Sequence, residues 1–184
     1  MNGSPGIARR DRFEVLAAEV YEPIQRFVRR RVDPDDVDDI VSETMVTLWR
    51  RLEKVPSNAR LPWAYGVARR HIANSRRGAQ RHLRLVRRVE AEPMPVTTHE
   101  SPLDAELHTA LASLAESERE LLHLWAWEQL EPTEMATVLG LTTNAVSIRL
   151  HRAKKKLGEN LEIARKDETL SGHSHRESTK EEPS

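Results

Sequence analysis

Two stretches of the chain carry side chains suited to chemistry on a polyanion. Residues 60–90 hold nine arginines against one acid, a net charge of +8. Within them Trp63, Val67, Arg70, Asn74 and Arg77 recur at helical spacing, with Arg69 and Arg76 beside them and Arg60 and Tyr65 near the start. Aromatic rings interleaved with guanidiniums suit unpaired nucleic acid, because rings stack on exposed bases and arginines hold phosphates. Each stacked base is worth roughly 1–3 kcal/mol. Core filling is the ordinary role of a single Trp or Tyr. Nine arginines gain little from packing, however, so the block as a whole reads as a strand-binding helix.

The second stretch is residues 132–157. Asn144, Ile148, His151, Arg152 and Lys155 share one helical face, while Val146, Leu150, Ala153 and Leu157 share the opposite one. Asn and Arg side chains on an exposed helix match the base edges of a major groove. Lys154, Lys155 and Lys156 would lie near phosphates. A solvated basic face is commonplace, but here it follows a helix-turn-helix layout. Ala136 is small where helices cross, Gly140 stands at the turn, and Met135, Leu139, Leu141 and Val146 supply an apolar wedge.

Other chemistries lack their residues. The chain has no cysteine, so disulfides, thiolate metal sites and thiol nucleophiles are excluded. Its eight histidines show no HExxH spacing, and His173-x-His175 reads as a chance pair. Neither a phosphate-binding loop nor a GxSxG turn occurs. The crowded acids Asp35, Asp36, Asp38 and Asp39 suit the positive end of a helix dipole. No enzymatic activity, cofactor or metal is expected.

The elements that must position these residues read as helices throughout. Phe13, Leu16, Val20, Ile24 and Phe27 predict a helix over 11–32, kinked or broken at Pro23. Asp33-Pro34 caps the next, which Val37, Ile40, Val41, Thr44, Leu48 and Leu52 carry to about Glu53. Pro62 opens the basic helix, weakened at Gly78. Residues 89–102, with three prolines and no period, read as a flexible linker. Leu103, Leu107, Leu111 and Leu114 mark a short helix, and residues 117–120 fit a capping box for another. A final helix spans about 143–157. The fold class is all-α: two small helical domains at 11–88 and 103–162. A flexible N-terminus, 1–10, and a disordered tail, 163–184, flank them.

The 184 residues carry 29 basic and 29 acidic groups, yet residues 1–90 hold +7 and residues 91–130 hold −7. The neutral total therefore says less about partners than the local stripes do. No apolar run approaches the length of a membrane span and the N-terminus has no signal-peptide core, so a cytoplasmic location without membrane insertion is expected.

The segment DPDDVDDIVSETMVTLWRRL, followed by LPWAYGVARRHIANSRR, resembles region 2 of the extracytoplasmic-function (ECF) sigma factors. ALASLAESERELLHLWAWEQLEPTEMATVLGLTTNAVSIRLHRAKKKL resembles region 4 of the same family, in the family's order and with its linker. The resemblance implies a promoter-recognition subunit of bacterial RNA polymerase. Region 2 would dock on the clamp helices of the largest polymerase subunit through Asp39, Ile40, Glu43, Thr44 and Trp49. It would melt the −10 element and trap a flipped base at the loop 55–62 with Arg70 and Asn74. Arg60, Trp63, Tyr65, Arg69, Arg76 and Arg77 would brace the opened strand. Region 4 would read the −35 duplex through Thr143, Asn144, Ser147, Ile148, His151, Arg152 and Lys155. The implied partners are core RNA polymerase, promoter DNA and an anti-sigma protein.

Three positions depart from the family's pattern. Arg70 stands where an Asn is usual, so base preference at the flipped position should differ. Ser42 replaces a usual Gln, which alters one polymerase contact. Ser147-Ile148 stands where a basic residue and a Ser are frequent, and Ile148 suits a thymine methyl instead. Against the sigma reading stand a helix-turn-helix regulator acting without polymerase and a protein-interaction adaptor. The first leaves the aromatic–arginine helix unexplained; the second leaves residues 132–157 unexplained.

Overall fold

The computed structural model describes residues 5–86 and 102–174. Among them are seven α-helices and one 3-10 turn: α1 (Pro5–Arg29), α2 (Pro34–Arg50), the turn Leu52–Lys54, α3 (Arg60–Val86), α4 (Pro102–Ala112), α5 (Glu116–Ala126), α6 (Pro132–Leu139) and α7 (Thr143–Ser174). The described residues contain no strand. They divide into two compact units: α1, α2, α3 and α6 form one, while α4, α5 and α7 form the other. The expected linker lies outside the described residues apart from Pro102, which opens α4.

In the first unit, Leu16, Val20, Ile24, Phe27 and Val28 of α1 are buried against Val37, Ile40, Val41 and Leu48 of α2 and Ala64, Val67, Ala68 and Ile72 of α3. Burial of this apolar stripe is the main stabilising contribution to the three-helix packing. It also explains why α1 runs through Pro23 without ending. An interior proline costs about 3 kcal/mol, and the fully buried Ile24, Phe27 and Val28 just beyond it offset that. The helix begins at Pro5, inside the segment expected to be flexible, and Arg9 donates from Nη2 to the Trp49 carbonyl at 2.9 Å.

α2 starts as its sequence foretells: Asp33 is the cap residue, Pro34 is the first helical position, and Asp35 and Asp36 lie in the first turn. It ends at Arg50 rather than Glu53, and Leu52 is buried from the 3-10 turn that follows. α3 continues unbroken through Gly78. α6 packs along α3, and the approach is closest at Gly66, where an added Cβ would lie 3.3 Å from the Val138 carbonyl oxygen. Gly140 ends α6 in the left-handed conformation, φ 67° and ψ 36°, which only glycine adopts without strain. The Leu141 N–H closes this cap on the Ala136 carbonyl at 3.1 Å.

In the second unit, α5 begins at Glu116, one residue before the predicted capping box. The capping carboxylate is that of Glu118, which accepts from the Ala115 N–H at 2.9 Å. The same Glu118 holds Lys156 of α7 at 2.9 Å, and Asn160 donates to Ser113 Oγ at 2.7 Å and to the Ala110 carbonyl. These bonds fasten α7 to α5 and to the end of α4. Instead of stopping at Leu157, α7 extends to Ser174, across much of the expected disordered tail. Seven of residues 159–168 are strong helix formers, so propensity carries the helix past Leu157.

Candidate functional site

Three exposed surfaces lie on α3, α7 and α2. On α3, Ala64, Val67, Ala68 and Ile72 point inward, which turns Arg69, Arg70, Asn74, Arg76 and Arg77 outward. Arg77 donates to Asn74 Oδ1 at 2.7 Å and to the Ala73 carbonyl, so the two side chains form one preset polar group. Arg76 reaches the Arg31 carbonyl at 2.9 Å, and Arg60 pairs with Glu19 at 3.0 Å. Trp63 is half-buried. Tyr65 is not on this surface. It is 4% exposed and stacks on Phe27 with centroids 4.7 Å apart, so the expected strand contact is withdrawn in favour of a core role. Its position, two residues beyond Trp63, turns it about 200° around the helix, onto the α1 side.

On α7, Val146, Leu150 and Ala153 are buried and Thr143, Asn144, Ser147, Ile148, His151, Arg152 and Lys155 are exposed. All seven expected duplex-reading residues are thus presented outward, Ile148 with 44% of its surface in solvent. The lysine triplet has structural duties. Lys154 Nζ stands 3.3 Å over the Trp125 ring, Lys155 pairs with Glu159 at 3.6 Å, and Lys156 is held by Glu118. Lys156 and the Ala115 N–H together keep the Glu118 carboxyl below its ordinary value of 4.5, the lysine contributing more.

On α2, Asp39, Glu43 and Trp49 are exposed. Ile40 and Thr44 are not: they are 3% and 0% exposed, and Thr44 Oγ1 donates to the Ile40 carbonyl at 2.7 Å. The expectation that they touch a partner is corrected; both belong to the core stripe. Sequence reading missed Val46, which is exposed beside Trp49. The signal was present, since Asp35, Asp39, Ser42, Val46 and Trp49 fall at offsets 4, 7, 11 and 14, one continuous outer stripe. Trp49 is braced edge-on by Phe13 at 5.1 Å and by Arg9, 4.9 Å from the ring centroid. An exposed aromatic fixed in this way is an anchor in waiting for a protein partner. Between Arg12, Leu16, Leu52, Val55, Ser57 and Arg60 lies a cavity of about 320 Å³ beside the loop before α3.

The described residues contain no group of three or more His, Asp or Glu placed to hold a metal ion. None of their helices is long and apolar enough to cross a membrane.

An acidic helix with an outward aromatic, an arginine-faced helix and a helix-turn-helix follow one another in the order expected of the promoter-binding family that the sequence resembles. Comparison with known proteins agrees. The family description "Sigma-70 region 2" matches residues 16–89, and "Sigma-70, region 4" matches residues 104–157. The chain is 33% identical over 163 residues to the RNA polymerase sigma-E factor of Streptomyces coelicolor, covering 80% of this chain and 88% of that protein. It is 28% identical over 132 residues to the ECF RNA polymerase sigma factor SigL of Mycobacterium tuberculosis, covering 68% and 74%. Its fold is similar to that of the sigma factor RpoE in complex with the anti-sigma factor NepR from Bartonella quintana, with a TM-score of 0.62, 19% identity, and 82% and 97% of the two chains covered. CnrH in complex with the cytosolic domain of CnrY is similar too, with a TM-score of 0.55, 25% identity, and 82% and 88% covered. The chain belongs to the ECF family of RNA polymerase sigma factors. As such it directs core polymerase to promoters and takes part in transcription initiation.

Proposed function

We propose that the three exposed surfaces divide the work of initiation. The outer stripe of α2, with Asp39, Glu43 and Trp49 and with Val46 added, faces the clamp helices of the largest polymerase subunit. The outward arginines of α3, together with Arg60, Trp63 and Asn74, hold the opened −10 strand. The exposed face of α7 from Thr143 to Lys155 reads the −35 duplex. The observation that carries this division is the clean separation of each helix into a buried apolar stripe and an exposed face of one character: acidic and aromatic on α2, arginine-rich on α3, mixed polar on α7.

The working modules are residues 11–88 and 103–162, joined by 89–102, with α6 of the second seated on α3 of the first. Two modules on one chain bind promoter DNA weakly until a scaffold fixes their working separation, and polymerase supplies it. Strand opening then draws on binding energy, because the chain holds no nucleotide-binding loop. It acts in the cytoplasm and contributes no catalytic step of its own. Complexes of similar sigma factors with NepR and CnrY support an anti-sigma protein as a further partner.

Co-elution with sigma-free bacterial core polymerase on size exclusion, followed by run-off transcription from promoter fragments, tests the reading. Stable co-elution and promoter-dependent transcripts are expected. Duplex binding by the chain alone, with no association to core, would favour a stand-alone regulator.

A further inference from the structure

His71 was set aside in the sequence as one of eight histidines without ligand spacing. In the structure it occupies the seam between α2 and α3 and uses both ring nitrogens on α2. Nδ1 lies 2.9 Å from Glu43 Oε2, and Nε2 lies 2.9 Å from Thr47 Oγ1. A carboxylate only accepts, so Nδ1 carries the proton of that bond. In the neutral ring Nε2 then accepts from the Thr47 hydroxyl.

The two ends of this bridge differ in exposure. The imidazole side chain is 20% exposed, whereas that of Glu43 is 64% exposed. A surface glutamate is ordinarily free to sample many rotamers. Here one oxygen is fixed by a ring that the fold itself holds, and Oε1 remains for an outside donor. The flanking residues on α3 point elsewhere: Arg70 precedes His71 and Asn74 follows one turn later, both exposed on the strand-facing surface. Between two outward polar residues, the chain turns a third inward to grip the neighbouring helix.

We propose that His71 is a positioning residue that presets the Glu43 carboxylate for a basic side chain of core polymerase and ties the strand-facing helix to the polymerase-facing one. The inference rests on the assignment of Glu43 to the polymerase surface. A group preset in its bound orientation binds more tightly because less ordering remains to be done. Arg70 and Asn74 ride on the same rigid helix as His71. The polymerase contact and the strand contact are thereby linked through this side chain, on top of the apolar packing of α2 on α3.

The test is a double-mutant cycle on affinity for core polymerase, measured with fluorescently labelled full-length chain. The variants are Glu43→Gln, His71→Phe and both together, with His71→Gln as the rescue. Phe keeps a ring and removes both nitrogens; Gln restores a donor and an acceptor. Each single variant is expected to weaken core binding about tenfold, the usual scale of one charge-assisted hydrogen bond. The double variant should be no weaker than either single one, and His71→Gln should recover most of the loss.

If Glu43→Gln weakens binding while His71→Phe leaves it unchanged, the positioning role is overturned. So too if the losses multiply in the double variant, or if His71→Gln is as weak as His71→Phe at equal melting temperature. If Glu43→Gln binds as the wild type does, the polymerase assignment of Glu43 falls instead, and the proposal with it. Should His71→Phe lose its cooperative melt, His71→Leu takes its place in the same cycle.

Discussion

Ile148 shows how much one exposed side chain can decide. It is a large aliphatic residue on a polar face, with 44% of its surface exposed. A thymine methyl is the base-edge group that matches it. Ile148→Ser is therefore expected to reduce discrimination at one −35 position, by no more than the roughly 1–3 kcal/mol that a mismatched base pair costs, with little change in thermal stability. Transcription from a panel of −35 variants measures this, and an unaltered preference would refute it. Glu118 makes a different kind of prediction. Its folded-state value is lowered by Lys156 and by the Ala115 N–H, so the native state binds its proton more weakly than the unfolded chain does. The stabilisation is complete above the ordinary value of 4.5 and is lost as pH falls through the lower, folded value. The gap in urea midpoint between wild type and Glu118→Gln should hence stay constant near neutrality and close as the solution is acidified below 4.5.

At the scale of the element, α3 separates residues that look alike in the sequence. Arg70 is exposed on the arginine-rich side proposed to hold the strand, while Tyr65 stacks on Phe27 inside. Arg70→Ala is expected to weaken binding of a single-stranded −10 oligonucleotide by the polymerase complex and to flatten its log–log salt dependence by about 0.7. Tyr65→Phe, which keeps the stack, should change neither. The contrast also explains what could be read beforehand. Helix number, the seven outward residues of α7, the Gly140 turn and the Asp33-Pro34 start follow from local spacing and local backbone rules, and they were legible. Tyr65 was misplaced because its environment is set by Phe27, far along the chain. Ile40 and Thr44 were in the buried stripe by spacing and on the partner surface only by resemblance, and spacing was the better guide. Periodicity says that a face exists, not which neighbour covers it. Val46 was overlooked although its spacing from Asp35, Asp39 and Ser42 puts it on the outer stripe of α2. The length of α7 escaped because its last turns have no apolar period.

At the scale of the whole molecule, two glycines of one helix should answer the same substitution oppositely. Gly78 has nothing within 4 Å of an added Cβ, so Gly78→Ala should raise stability by about 0.5–1 kcal/mol through helix propensity alone. An added Cβ at Gly66 would lie 3.3 Å from the Val138 carbonyl oxygen, so an alanine there must push backbone rather than a flexible side chain. Gly66→Ala makes the same propensity gain but should lose roughly 1–3 kcal/mol to overpacking, a net loss. Urea unfolding of the two variants beside the wild type gives both signs in one experiment.

The flush seating of Val138 on Gly66 also bears on protein engineering. Sigma factors invite the exchange of recognition modules, since reading a new −35 element needs only a new reading helix. In this chain a swap confined to α7 leaves the seat untouched and should be tolerated. A graft that begins upstream of α6 brings foreign backbone to a spot with no slack for it. The useful crossover point is consequently the Gly140 turn: a chimera joined there keeps the Gly66 seat, and the incoming helix must still supply Lys156 for Glu118 and Asn160 for Ser113.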